Sequence, residues 1–233
     1  MLLKQKLTIL KWFDIFILTV ILFGEGIINS TMQYLALQNQ ARTLEQNLTF
    51  TTWDNYKAIM IQLCWLFLAL LYLKWRNFDF GTWKRRILLT KWLPLQVLGI
   101  FTVTALCMDS YHYILYYATN WITPSMHELS PHIDLSLILY SLLNGFYEEI
   151  FFLGMCLMVT PKFTKWAFLY SLIIRCSFHT YQGLGSAIGL GLIVGIIYYL
   201  IYRKMKRPNM LPFFLAHAIA DVMGLTILSY LLY

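Results

Sequence analysis

An all-α, polytopic membrane bundle of about seven transmembrane helices is the fold class that three observations predict. First, 59% of the 233 residues are hydrophobic and only 12% are charged, against roughly half and about a quarter in a soluble domain. Second, apolar stretches of spanning length recur along the chain. Third, Lys and Arg cluster in alternate connections between those stretches. These features exclude a disordered chain and a soluble enzyme, and the mean hydropathy of +0.61 agrees. The net charge of +7 is no nucleic-acid footprint, because the basic residues form short clusters rather than one patch. Residues 1–233 read as a single integral membrane domain, without repeats or low-complexity stretches.

A spanning helix needs about 20 mostly apolar residues. The stretches 10–29, 57–74, 88–107, 135–159, 164–181, 186–203 and 210–231 qualify. Lys4, Lys6 and Lys11 precede the first. Lys74, Arg76, Lys84, Arg85 and Arg86 follow the second, Lys162 and Lys165 the fourth, and Arg203, Lys204, Lys206 and Arg207 the sixth. Connection 30–56 holds Arg42 alone, and 108–134 and 182–185 hold no Lys or Arg. The positive-inside rule then predicts a multi-pass membrane protein with a cytoplasmic N-terminus and an outer C-terminus. The first stretch lacks a small-residue cleavage site and is long enough to span, so it reads as an anchor rather than a removable signal. Segment Tyr111–Trp121 is aromatic and short. It is expected as an interfacial helix in an outer loop, or as part of an eighth, re-entrant element. The polar stretch 30–56 is expected to lie on the surface. Cys64, Cys107, Cys156 and Cys176 lie in or beside apolar stretches without a CxxC pair, which predicts buried thiols rather than disulfides or a cysteine zinc site.

Ionisable residues inside spans are costly and usually functional. They are Asp14 and Glu25 in the first span, Glu148 and Glu149 in the fourth, Arg175 and His179 in the fifth, and His217 and Asp221 in the seventh. Asp14 and Glu25 lie near the ends of their span, where snorkelling or helix packing accounts for them. The others converge only if the fourth, fifth and seventh spans pack together. His217 and Asp221 share a face by their i, i+4 spacing, as do Arg175 and His179. Glu148 and Glu149 diverge by about 100°, so one is expected at a reaction centre and the other on a supporting partner. A carboxylate and two histidines around a wet cavity point to general-base activation of water or to metal binding. Taken singly, His179 could simply bond a backbone carbonyl, and Asp221 could be a structural partner of His217.

Three segments together resemble a family pattern: Glu148-Glu149-Ile150-Phe151-Phe152-Leu153-Gly154, Phe178-His179-Thr180-Tyr181-Gln182-Gly183, and His217-Ala218-Ile219-Ala220-Asp221. They resemble EExxxR, FxxxH and HxxxN/D of the CPBP family, the CAAX proteases and bacteriocin-processing enzymes also called Abi proteins. The resemblance covers residues 135–225, which would form the catalytic core. It implies an intramembrane glutamate endopeptidase of bacterial type, in the cell membrane, that needs no metal and no cofactor. Glu148 would be the general base, His179 would help hold the water, and His217 with Asp221 would stabilise the oxyanion. The implied partners are a peptide or membrane-protein substrate and the lipid bilayer, with no nucleic acid.

The chain departs from that pattern at two positions: the arginine is Leu153 here, and the phenylalanine before the second-motif histidine is Arg175. Arg175 is expected to supply the missing positive charge to Glu149; the alternative is an arginine snorkelling outward. An ionised aspartate cannot donate to an oxyanion, so Asp221 would act protonated or by orienting His217. For His179 and His217 to meet in depth, the fifth span must break at Thr180–Gly185 or have shifted limits. Two rival classes are a non-catalytic immunity or regulatory binding protein, which Leu153 favours, and a metal-dependent hydrolase or metal transporter with Glu, His and Asp ligands.

Overall fold

The computed structural model describes residues 6–119, 133–228 and 230. Its elements are α1 (Trp12–Gln38), α2 (Leu44–Leu48), α3 (Thr52–Trp75), α4 (Gly81–Lys84), α5 (Leu93–Thr119), α6 (Leu135–Phe152), α7 (Thr164–Phe178), α8 (Leu184–Ile188), α9 (Gly195–Lys204) and α10 (Leu211–Met223). A π-helical turn, Gly189–Val194, joins α8 to α9. No strand occurs among the described residues; Leu7 and Phe78 form an isolated bridge that pins the N-terminal segment to the end of α3. The fold is an all-helical membrane bundle. Among the described residues, four helices are long and apolar enough to cross a membrane: α1, α3, α5 and the continuous Leu184–Lys204. Trp12 and Trp75 are 80% and 78% exposed, as interfacial tryptophans should be.

Local chemistry sets where the helices begin. Thr51 Oγ1 accepts from Asp54 N at 3.2 Å while the Asp54 carboxylate accepts from Thr51 N at 2.9 Å, a reciprocal cap that starts α3. Asp134 caps α6 by accepting from Leu137 N at 2.9 Å. The same carboxylate accepts from Thr52 Oγ1 at 2.6 Å, which joins the first turns of α3 and α6. Asn55 Nδ2 donates to Ser136 Oγ at 3.0 Å and repeats that tie one turn deeper.

Small residues then set how closely the helices pack. A Cβ on Gly145 would strike the Phe214 carbonyl and stand 3.0 Å from Ala218 N and 3.3 Å from His217 Cβ. Helices α6 and α10 therefore touch backbone to backbone close to the first and third motifs. Gly191 and Gly195 let the π-turn lie against Cys176 and Arg175 of α7 in the same way. At the basic end, Trp83 Nε1 donates to the Gly154 carbonyl at 3.1 Å. Asn209 exchanges two hydrogen bonds with the Leu88 backbone, at 2.9 and 2.8 Å.

Several expected limits move. Tyr111–Thr119 is not a separate interfacial element but the last turns of α5, whose Tyr111 hydroxyl donates to the Gly185 carbonyl at 2.9 Å; Trp121 lies outside the described residues. The fourth stretch ends at Phe152 rather than 159, because Leu153–Met158 turns back. Stretch 30–56 is no mere surface connection: α1 continues to Gln38, and Ser30 and Asn47 are buried against the α7–α8 turn. Of the cysteines, Cys156 is buried, Cys176 partly so, and Cys64 and Cys107 are exposed on the outer faces of α3 and α5. The last stretch stops at Met223, where Gly224 adopts φ 75°.

Candidate active site

The site forms where α6, α7 and α10 meet. Glu148 and Glu149 lie one turn before the end of α6, and both are buried, at 5% and 0% exposure. Their divergence on the helix sends them to different partners. Glu149 Oε2 accepts from Arg175 Nη2 of α7 at 2.5 Å. Its Oε1 lies 2.8 Å from His217 Nδ1 of α10, which donates in the tautomer this contact selects. Arg175 is 3% exposed and does not reach the outer surface. Its guanidinium stacks 3.9 Å from the Phe152 ring centroid, and Nη1 stands 3.9 Å from Glu148 Oε2. The cation thus reaches from a neighbouring helix to the carboxylate that lacks an arginine at position 153.

Glu148 is held at one oxygen only. Asn144, one helical turn earlier, donates Nδ2 to Glu148 Oε1 at 3.1 Å and to Asp221 Oδ2 at 2.9 Å. Glu148 Oε2 has no hydrogen-bond partner among the described residues although it is buried. It faces His217 Nε2 at 3.7 Å, and Asp221 Oδ1 faces the same nitrogen at 3.6 Å. With Nδ1–H committed to Glu149, three electron-rich atoms converge on one spot. Such an arrangement needs a shared proton, a water or a cation between them. The separations exceed a direct hydrogen bond.

His179 sits at the C-terminal cap of α7, where its Nδ1 is 2.7 Å from the Arg175 carbonyl. No hydrogen bond joins its ring to Glu148, His217 or Asp221 among the described residues. Its approach depends on the break that follows: α7 ends at Phe178, a 3₁₀ turn covers Thr180–Gln182, and Gly183 takes φ 85° before α8 begins. That φ lies in the left-handed region that favours glycine. Ser30 and Asn47 secure the turn, through Ser30 Oγ to Thr180 Oγ1 and Tyr181 N at 2.9 Å each, and Asn47 Nδ2 to the Tyr181 carbonyl at 3.0 Å. Phe178 stacks on Phe23 of α1 at 4.9 Å.

Asp14 and Glu25 stand apart from this cluster. Asp14 pairs with Arg76 and Tyr72, and Glu25 accepts from Trp65 Nε1 at 2.8 Å. Two residues escaped the sequence reading, Asn144 and Gln62, because it weighed only ionisable groups. Gln62 Nε2 donates to Asn144 Oδ1 at 2.7 Å, so α3 also contributes, and the site is not confined to the fourth, fifth and seventh spans. The available signal was an amide four residues before Glu148, on its face of the helix.

The chain matches no curated protein and no solved structure. Over residues 131–223, the segment that carries all three motifs and α10, it matches the family model described as type II CAAX prenyl endopeptidase, Rce1-like, which is the CAAX protease (CPBP) family that the motifs resemble.

Proposed function

We propose that this protein is an intramembrane endopeptidase in which Glu148 activates water. The single observation that carries the reading is the buried, unpartnered Glu148 Oε2 beside His217 Nε2. In the step envisaged, a water held between these atoms loses a proton to Glu148 as its oxygen bonds to the scissile carbonyl carbon. The carbonyl oxygen becomes an oxyanion facing the histidines. Collapse breaks the C–N bond, and Glu148 returns the proton to the leaving amine. His217, when protonated at Nε2, donates to the oxyanion. Asp221 accepts from Asn144 at Oδ2 and turns Oδ1 towards that ring, and it acts by orienting His217. The Nδ1 contact of His179 to the Arg175 carbonyl fixes its tautomer, which leaves Nε2 as the nitrogen able to accept from water. The substrate is a peptide or a membrane-proximal segment, for which a prenylated C-terminal peptide is the first candidate from the family description.

A metal-assisted reading is the second. Ligand atoms of Glu148, Glu149 and His217 all lie within 4.8 Å of one another. A histidine that donates Nδ1–H to a carboxylate is also how metal-bound histidines are commonly held. One experiment tests both readings: cleavage of a peptide library and a farnesylated CAAX-type peptide by purified protein and by Glu148→Gln, with and without chelator. Chelator-resistant cleavage that disappears in Glu148→Gln supports the glutamate mechanism. Chelator-sensitive cleavage with stoichiometric metal selects the second reading. A peptide cut equally by both proteins would sink the role of Glu148, and no cleavage by either folded protein would move the protein towards a binding or immunity function.

A further inference from the structure

We propose that Asn144, oriented by Gln62, is the positioning residue that aims the reacting oxygens of Glu148 and Asp221 at His217. The inference deepens the reading of Glu148 as the base and rests on it.

Asn144 lies on α6 and is 6% exposed. Its two N–H bonds go to two carboxylates, Glu148 Oε1 at 3.1 Å and Asp221 Oδ2 at 2.9 Å. Each of those oxygens is the one turned away from His217. The remaining oxygens, Glu148 Oε2 and Asp221 Oδ1, both point at His217 Nε2, at 3.7 and 3.6 Å. One amide therefore sets the rotation of two carboxylates on two helices and leaves only their inner oxygens for chemistry.

The amide cannot serve in the reverse orientation. Turned over, Asn144 Oδ1 would confront both carboxylates with no proton between them, and three acceptors would be buried together. In the observed orientation Oδ1 faces α3, where Gln62 Nε2 donates to it at 2.7 Å. The ties of Thr52 and Asn55 to the start of α6 hold α3 at this register. The closeness of α6 to α10 that Gly145 permits brings Asp221 within reach of the same amide. The chain Gln62 to Asn144 to the two carboxylates thus places a helix outside the three motifs in the supporting shell of the site.

Asn144→Ala and Asn144→Asp both remove the donors, the second at nearly constant volume. Both are expected to lower kcat by roughly 10- to 100-fold with KM little changed, the range in which supporting-shell partners act. Gln62→Leu acts through Asn144 and is expected to give a smaller loss of kcat. The double variant Gln62→Leu with Asn144→Ala should be no slower than Asn144→Ala alone, since the two groups act as one unit. The assay uses the full-length protein and a peptide whose cleavage is lost in Glu148→Gln, and thermal unfolding of each variant checks its fold. Cleavage that requires Glu148 but proceeds at the wild-type kcat in folded Asn144→Ala overturns the positioning role alone. Additive losses in the double variant, or a change confined to KM, overturn it as well. If Asn144→Ala does not fold, Gln62→Leu carries the test from the other helix. A peptide cut without need of Glu148 removes the underlying reading, and this inference with it.

Discussion

Two buried acids that face an arginine inside the bundle are treated in opposite ways. Around Asp14, every lone-pair direction is used. Oδ1 accepts from Tyr72 Oη and Arg76 Nε at 2.6 Å each, and Oδ2 from Lys11 N at 2.9 Å and Arg76 Nη2 at 3.2 Å. Around Glu148, one oxygen takes a single amide and the other takes no hydrogen bond among the described residues. A saturated carboxylate has no capacity left to accept a proton from a reactant, and its contribution is to lock α1 onto α3. An unsaturated one, desolvated and next to an imidazole, retains that capacity at a cost in stability. Glu149, with one oxygen held by Arg175 and the other by His217, resembles Asp14 more than its neighbour in sequence. Saturation, and not burial, is what separates the acid suited to chemistry from the acids that hold the bundle together.

The largest difference between the two regions should appear in Glu148→Gln, which is expected to lose roughly a hundred- to ten-thousand-fold in cleavage rate while unfolding at the wild-type temperature. Paired rate and melting measurements on Arg76→Leu should give the opposite result, a lower melting temperature and an unchanged kcat. A loss of cleavage in that variant would break the division between the two acids.

Arg175→Leu leaves Glu149 buried without its cation and is expected to destabilise the fold by about 3–5 kcal/mol, the usual consequence of breaking a buried pair. Restoring a cation at the C-terminal cap of α6 through Leu153→Arg in that background tests whether charge alone is missing. Recovery of most of the melting temperature means that position 153 can do the work of position 175. No recovery means that the stacking of Arg175 on Phe152 matters as much as its charge.

Gly145→Ala wedges α6 from α10 and should cost about 1–3 kcal/mol. The comparison sharpens if kcat falls too, because the Asp14 region lies on other helices. The smallest effect belongs to Asp221→Asn. Its oxygen still accepts from Asn144, so the change in rate should be on the order of 1 kcal/mol, or roughly fivefold. A complete loss of cleavage would show that the charge of Asp221 is essential.

Membrane placement was legible from composition, because a bilayer demands long apolar stretches and tolerates few charges inside them. The elements that shifted were those limited by tertiary contact. α5 runs to Thr119, and its Tyr111 finds a backbone acceptor in the first turn of α8. α6 stops at Phe152, and the next residues turn back where the Trp83 indole reaches the Gly154 carbonyl. The buried ends of stretch 30–56 gain their partners, Thr180 and Tyr181, about 130 residues or more downstream.

By itself the sequence determined an all-helical membrane chain, the common face of His217 and Asp221, and the divergence of Glu148 from Glu149, since helical periodicity is a local property. The meeting of Arg175 with Glu149 was expected from the departure at Leu153, but only the tertiary structure decided that Glu148 keeps an oxygen without a hydrogen bond among the described residues. It alone brought in Asn144 and Gln62, two neutral amides with no motif to mark them. The physical reason is that hydrogen-bond saturation is a sum over every helix that packs against an atom, and no spacing within one helix contains that sum.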